Sequence, residues 1–220
     1  MIPSTFFTFS TLLFLLASAW PQPQISRTPI TECSALPKYN DGSKIAGPWT
    51  LKVHRCSDAT ASQTGCKLEG LEASCDVRKS AEDKGIQQGV ITISSGTEHA
   101  KVQIRCNGAL QTLEARVPSG AGAGARDWHA LVIDEAGNSG ELAWGLGSKK
   151  TGRVQVYRHT LDHTALDGLF LGSHDETSWV LSSSGSYVSN VDHMPYWSMR
   201  LSPPTTKIAL NEYRTFIRIE

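Results

Sequence analysis

The residues best equipped for chemistry lie in the second half of the chain, where Asp and His adjoin three times: Asp162-His163, His174-Asp175 and Asp192-His193. An imidazole beside a carboxylate can act as a general acid or base, and two or three such groups can ligate a metal. His159 and His163 stand at the i, i+4 spacing that would put both on one face of a helix. Their surroundings argue otherwise. His159 closes the strand-like run Val154-Gln155-Val156-Tyr157-Arg158, and Leu161-Asp162-His163-Thr164 reads as a turn, so the spacing fixes no geometry. A further ligand such as His174 would have to come from elsewhere in the fold. Neither G-x-S-x-G nor H-E-x-x-H occurs, and the expected mature N-terminus, Trp20, is not a His that could hold copper. A metal-free acid–base nuclease using His54 or His129 with Glu114 or Glu141 is a further option, and the sequence gives no reason to prefer it. No metal or cofactor site is assigned.

Tryptophan offers a different chemistry, that of contact. Six occur: Trp20 near the start, and Trp49, Trp128, Trp144, Trp179 and Trp197 in or beside expected strands. Most should be core residues, each with an indole N–H that needs a partner. Tyr196-Trp197 follows Met194-Pro195, and neighbours on a strand point to opposite faces, so if one faces the core the other faces out. Tyr187 and Tyr157 are candidates to extend an outward platform. The connection Ser186 to Tyr196 carries neither Lys nor Glu, a composition typical of the centre of an interface. Tyr187, His193, Met194, Tyr196 and Trp197 are therefore the candidate binding residues, for an extracellular protein or glycan.

The elements that must position these residues are strands. Candidates are Trp49 to Arg55, Gly89 to Ser94, Ala100 to Cys106, Leu110 to Val117, Asp127 to Asp134, Glu141 to Leu146, Arg153 to His159, Gly168 to Gly172, Ser178 to Ser182, Tyr196 to Leu201 and Glu212 to Ile219. Several alternate apolar and polar residues, and Gly-rich or Asn-Gly breaks separate them. Short strands at such spacing predict an all-β, antiparallel sandwich or barrel. A helix is plausible only at Val77 to Gln88, with Asp76 as its cap. Ser119 to Ala125 is a Gly/Ala stretch, read as a flexible surface loop (119–125) within a single β-rich domain spanning 46–220.

The first residues indicate compartment. Leu12 to Ala17 is an apolar run followed by Ala17-Ser18-Ala19, the pattern of a secretory signal peptide over 1–19 cut after Ala19. Pro21 to Pro37 is rich in Pro, Ser and Thr, so 20–45 reads as an extended leader, ordered mainly if Cys33 is bridged. The formal charge is zero and no polybasic run occurs, which removes the electrostatic drive toward nucleic acid or anionic membranes. No second apolar span is present. Secretion into an oxidising space makes the five cysteines a disulfide framework. Cys66 and Cys75 enclose a short polar loop and are the favoured pair. Cys106 is expected to join Cys56 or Cys33. All five precede residue 107, so bridges are confined to the N-terminal half, and the odd thiol is either buried, reactive or paired with a second chain in a disulfide dimer.

Two resemblances bear on function. Gly47-Pro48-Trp49 opening the first strand of the body, with an Arg near the last strand such as Arg214 or Arg218, resembles the lipocalin kernel, which implies an Arg packed over the Trp and a barrel that carries a hydrophobic ligand. Gly47 to Leu51, Cys66 and Cys75 around Leu68-Glu69-Gly70-Leu71, Trp197, and the final strand Tyr213 to Ile219 together are similar to the small secreted β-rich proteins of filamentous fungi. That resemblance implies a compartment and a fold class but no activity. Three classes result: a non-enzymatic extracellular binding protein, a hydrophobic-ligand carrier, and a hydrolase or metal enzyme built on the Asp–His pairs. The first accounts best for outward aromatics and neutral charge.

Overall fold

The computed structural model describes residues 25–58, 66–79, 87–95, 101–118, 125–135, 140–145, 151–188 and 195–220. The signal segment, His193, Met194 and most of the Gly/Ala stretch lie outside the described residues. Nearly everything described is strand. The first half carries β1 (Ile25–Ile30), β2 (Tyr39–Asn40), β3 (Ile45–Trp49), β4 (Leu51–Asp58), β5 (Ala73–Lys79), β6 (Gln87–Ser94) and β7 (Gln103–Asn107). β8 (Thr112–Pro118), β9 (Arg126–Asp134), β10 (Glu141–Trp144), β11 (Thr151–Arg153) and β12 (Gln155–Leu161) follow. The last are β13 (Thr164–Ala165), β14 (Leu169–Gly172), β15 (Ser178–Val188), β16 (Pro195–Leu201) and β17 (Glu212–Ile219). Among the described residues no helix is long and apolar enough to cross a membrane.

The strands pair antiparallel in a curled half-barrel sheet. β17 is its spine. One edge pairs with β4, from Tyr213↔Asp58 to Ile219↔Leu51. The other edge pairs first with β15 and then with β14. From there the sheet runs through β12 to β1 on one side and through β16 to β6 and β5 on the other. β2, β3, β7 and β8 form a smaller sheet that reaches β9 through Glu114↔Ala130 and its neighbours. The second half of β9 pairs with β10 and β11 of the main sheet, so this strand joins the two.

Alternation in β17 explains why the sheet has two unlike faces. Thr215, Ile217 and Ile219 are buried, and the residues between them are less so. Inward residues join Trp49, Trp144, Trp179, Trp197, Ile91 and Ile104 in the core. The Trp179 indole N–H donates to the Leu171 carbonyl at 2.8 Å, so this large ring is buried without leaving its donor unpaired.

Several expectations are corrected. No helix starts at Val77: β5 occupies Ala73–Lys79 and pairs with β6 through Cys75↔Ile91 and Val77↔Gly89. Pairing against a strongly β-forming neighbour overrides a weak local helix preference. The leader contributes β1, which pairs with β12 from Ile25↔Leu161 to Ile30↔Val156. The cysteines pair as Cys33–Cys106 and Cys56–Cys66, and Cys75 is free, so the expected Cys66–Cys75 bridge is replaced. Cys75 is held in the β5–β6 ladder, whereas Cys56 is turned into the interior beside Cys66 by a bulge in β4.

Candidate functional site

The expected binding segment is divided by the fold. Trp197 is buried in the core opposite Ile93, with the Lys67 ammonium 5.9 Å from its ring centre. Tyr196, opposite Ser94, is half-buried. Tyr187 lies on β15, and His193 and Met194 fall outside the described residues. Tyr157 does not join an outward platform: it is fully buried, donates to Gln155 Oε1 at 3.1 Å and accepts the Asp175 N–H at 3.0 Å. Trp128 is only partly buried and faces outward from the smaller sheet, with the Arg105 guanidinium 4.2 Å from its ring centre.

Two of the three Asp–His pairs have a backbone role, and Asp192-His193 lies outside the described residues. Asp162 and His163 have φ of 46° and 68°, and His174 and Asp175 have φ of 49° and 60°. Both residues of a two-residue hairpin turn of the primed type need positive φ, a conformation that Asp and His tolerate better than most side chains. Ser173 and Glu176 exchange both backbone hydrogen bonds at 2.9 Å around the second of these turns. Nor do the proposed acid–base pairs form. His129 lies opposite Ala115 while Glu114 lies opposite Ala130, on the other face of the same ladder. Glu141 lies across from Asp134 and Arg200. His54 instead has Glu69 at 3.6 Å from its Nδ1. Arg214 and Arg218 alternate with the core-facing residues of β17, on the face away from the core that holds Trp49. The cation–ring contacts among the described residues involve Trp128, Trp197 and Tyr213 instead.

The outer face of the main sheet is where side chains of chemical interest converge. Directly paired residues share a face, and the registers His54↔Phe216, Phe170↔Tyr157 and His159↔Arg27 place all six on it. The His159 ring stacks on Phe170 at 4.0 Å and meets the edge of Phe216 at 4.9 Å. The His54 ring lies 5.8 Å from Phe170. His159 is 1% exposed and neither ring nitrogen has a hydrogen-bond partner. Burial, reinforced by the charges of Arg27, Arg55 and His54, pushes its pKa down to about 4, so the ring is neutral at physiological pH. Burial lowers His54 as well, against the opposing pull of Glu69.

Beside this layer the β4–β17 ladder bulges. Between the pairs Arg214↔Ser57 and Phe216↔His54, β17 has the single residue Thr215 and β4 has Arg55 and Cys56. Arg55 takes φ 54°, the left-handed region, while Cys56 turns inward to its disulfide. A bulge strands backbone donors, and here Glu69 accepts both, from the Arg55 N–H at 3.0 Å and the Cys56 N–H at 2.8 Å. The Thr215 hydroxyl donates to the His54 carbonyl at 2.9 Å on the opposite strand. The result re-aims one arginine without breaking the sheet.

Arg55 thereby lines a groove of about 470 Å³ with Arg27, Arg214, Ser57, Ser178 and Phe216 among its walls. The three arginines come from β1, β4 and β17. Arg214 is held by neutral acceptors alone: the Ser178 hydroxyl at 2.8 Å and the carbonyls of Ser202, Pro203 and Thr206. Arg27 donates to the Asp175 carbonyl at 3.0 Å and lies 3.5 Å from Glu176, while its Nε is buried without a partner. Glu176 Oε1 already accepts the Thr177 and Ser178 N–H groups. Among the described residues no carboxylate pairs with the Arg55 guanidinium. Of the three, only Arg27 is ion-paired among the described residues, and burial lowers the pKa of Arg214 against the pull of Glu176 and Glu212. Nothing in local sequence marks Arg27 or Arg55, because the bulge and the β1–β12 register bring them together. No family model matches this chain, and no curated protein shows significant similarity to it.

Proposed function

We propose that the protein is a secreted binding protein that recognises an extracellular protein or glycan without catalysis, and that its ligand docks on the outer face of the main sheet at the arginine groove. One observation carries the reading. Three guanidinium groups from separate strands are gathered around a groove in which, among the described residues, only Arg27 is ion-paired, with Glu176, an arrangement that self-repulsion disfavours unless an anion completes it. Groove size supports it too, since about 470 Å³ lies within the range of small-ligand sites. The two disulfides support an oxidising compartment, and the apolar run before Ala19 supports export. A glycan array and a pull-down from host extracellular material, both using the secreted form, test the function. Retention of an anionic partner that is lost in Arg27→Ala is the expected result, and partners that ignore this substitution would refute the placement. N-terminal sequencing should find Trp20 first, and a secreted chain still starting at Met1 would remove the signal-peptide assignment.

A further inference from the structure

Resting on that reading, we infer that the arginine groove takes a tetrahedral oxyanion ester carried on a sugar, a sulfate or phosphate group with its ring laid against the apolar wall. The geometry of charge argues first. A planar carboxylate is satisfied by one guanidinium fork, whereas a tetrahedral group presents oxygens in several directions and suits donors arriving from separate strands. Arg27, Arg55 and Arg214 supply positive charge from β1, β4 and β17, and Ser57 and Ser178 place hydroxyls on the same wall. Their duties differ. Arg214 has most of its N–H groups committed to the 202–206 segment and Ser178, so it contributes fixed charge. Arg27 is shared with Glu176 and the Asp175 carbonyl. Arg55 is the fork left over among the described residues, and it is carried by the one residue of the bulge that stands at positive φ. Backbone strain held in place by a carboxylate clamp, here Glu69 on two amides, is characteristic of positions kept for function.

Volume argues second. The groove of about 470 Å³ exceeds what one small anion fills, and the remainder is bordered by Ile25, Pro204 and Phe216. A sugar ring packs its C–H face on such a surface and keeps its hydroxyls for Ser57 and Ser178. Three further ionisable groups near the groove leave the charge in place. His54 and His159 are held toward their neutral forms, and Glu176 is engaged by backbone amides.

Calorimetric titration of the intact secreted protein with glucose 6-sulfate, glucose 6-phosphate, glucuronate, glucose and the inorganic anions tests the assignment. Either ester should bind about tenfold or more tightly than glucuronate or the bare ions, with glucose silent, and added salt should weaken it. The stronger of the two esters identifies the source of the oxyanion. Arg55→Gly is the diagnostic substitution, because glycine relieves the steric strain of the positive φ and so offsets its own entropic cost: affinity should fall at least about tenfold while the thermal midpoint does not drop. Arg55→Lys, which keeps the charge and loses the fork, should fall in between. Equal binding of glucuronate, undiminished binding by Arg55→Gly, or silence of both esters would each overturn the inference. If a neutral or carboxylated glycan emerges from the array and still needs Arg27, the binding function stands and only the oxyanion assignment falls.

Discussion

His159 concentrates the physical tension of this molecule in one side chain. It is almost wholly buried, stacked on Phe170 and against the edge of Phe216, and has no partner for either ring nitrogen. Its neighbour across the ladder is Arg27, so a proton on the ring would face both desolvation and a like charge. In the unfolded chain the imidazole titrates near 6.5, and in the fold near 4. Between those values the unfolded state binds the extra proton. Stability is therefore full above the unfolded pKa and declines as pH falls toward the folded one, by about 3 kcal/mol in all. His54, lowered by burial too, acts in the same direction. Urea midpoints measured from pH 7 down to pH 4 should show the decline, and His159→Phe, which keeps the aromatic stack, should remove most of it. An unchanged acid limb in that variant would show that another group controls the transition. Cys75 poses a smaller question of the same kind. It is partly buried, and burial raises its thiol pKa, so little thiolate is present to attack a disulfide or a second chain. Alkylation at pH 8 should be slow in the native protein and fast in urea; rapid native labelling, or a covalent dimer on a non-reducing gel, would overturn this.

At the scale of elements, the legible strands were those whose own residues alternate. β17 reads Glu-Tyr-Arg-Thr-Phe-Ile-Arg-Ile and is a strand in any reading, and β12 and β16 are similar. β5 was illegible because Ala-Ser-Cys-Asp-Val-Arg-Lys has little strand character, and only the partner β6 makes it one. β1 hid behind Pro29, which suits a linker and equally an edge strand, where a missing N–H costs little. The bulge in β4 has no signature in composition at all, since what stabilises it is Glu69 in a distant turn. Glu69→Ala should leave the Arg55 and Cys56 amides without their acceptor and cost about 1–2 kcal/mol. Thermal melts check it, and a neutral result would mean that water replaces the carboxylate. Gly89 makes a sharper case, because a Cβ there would stand 2.1 Å from the Asp76 carbonyl and 2.8 Å from the Trp144 ring. Gly89→Ala must therefore part β5 from β6 or displace a core indole. A loss of about 3 kcal/mol is expected, and a variant as stable as the parent would contradict this packing.

Considered whole, the molecule divides labour between its two disulfides. Neither reaches the C-terminal strands, yet β17 is seated between β4 and the β14–β15 edge, so pairing alone integrates the later sequence with the stapled part. The same long-range pairing explains why the candidate site escaped sequence reasoning: Arg27, Arg55 and Arg214 are remote in the chain and meet only when β1, β4 and β17 share a face. Cys33–Cys106 closes a separation of 73 residues and Cys56–Cys66 one of 10. On chain-entropy grounds their removal should cost about 4 and about 3 kcal/mol respectively. Binding should rank them the other way. Cys33–Cys106 ties down the segment after β1, and β1 keeps its ladder with β12 when the bridge is gone, so Arg27 stays near its place. Cys56–Cys66 adjoins the bulge and the Glu69 clamp that aim Arg55 into the groove. Paired alanine variants of each bridge, compared by denaturant unfolding and by titration with the best-bound sugar ester, should give the larger stability loss for Cys33/Cys106 and the larger affinity loss for Cys56/Cys66. If Cys33/Cys106 leads in both, β1 and not the bulge governs the site, and Arg27 rather than Arg55 is its principal donor.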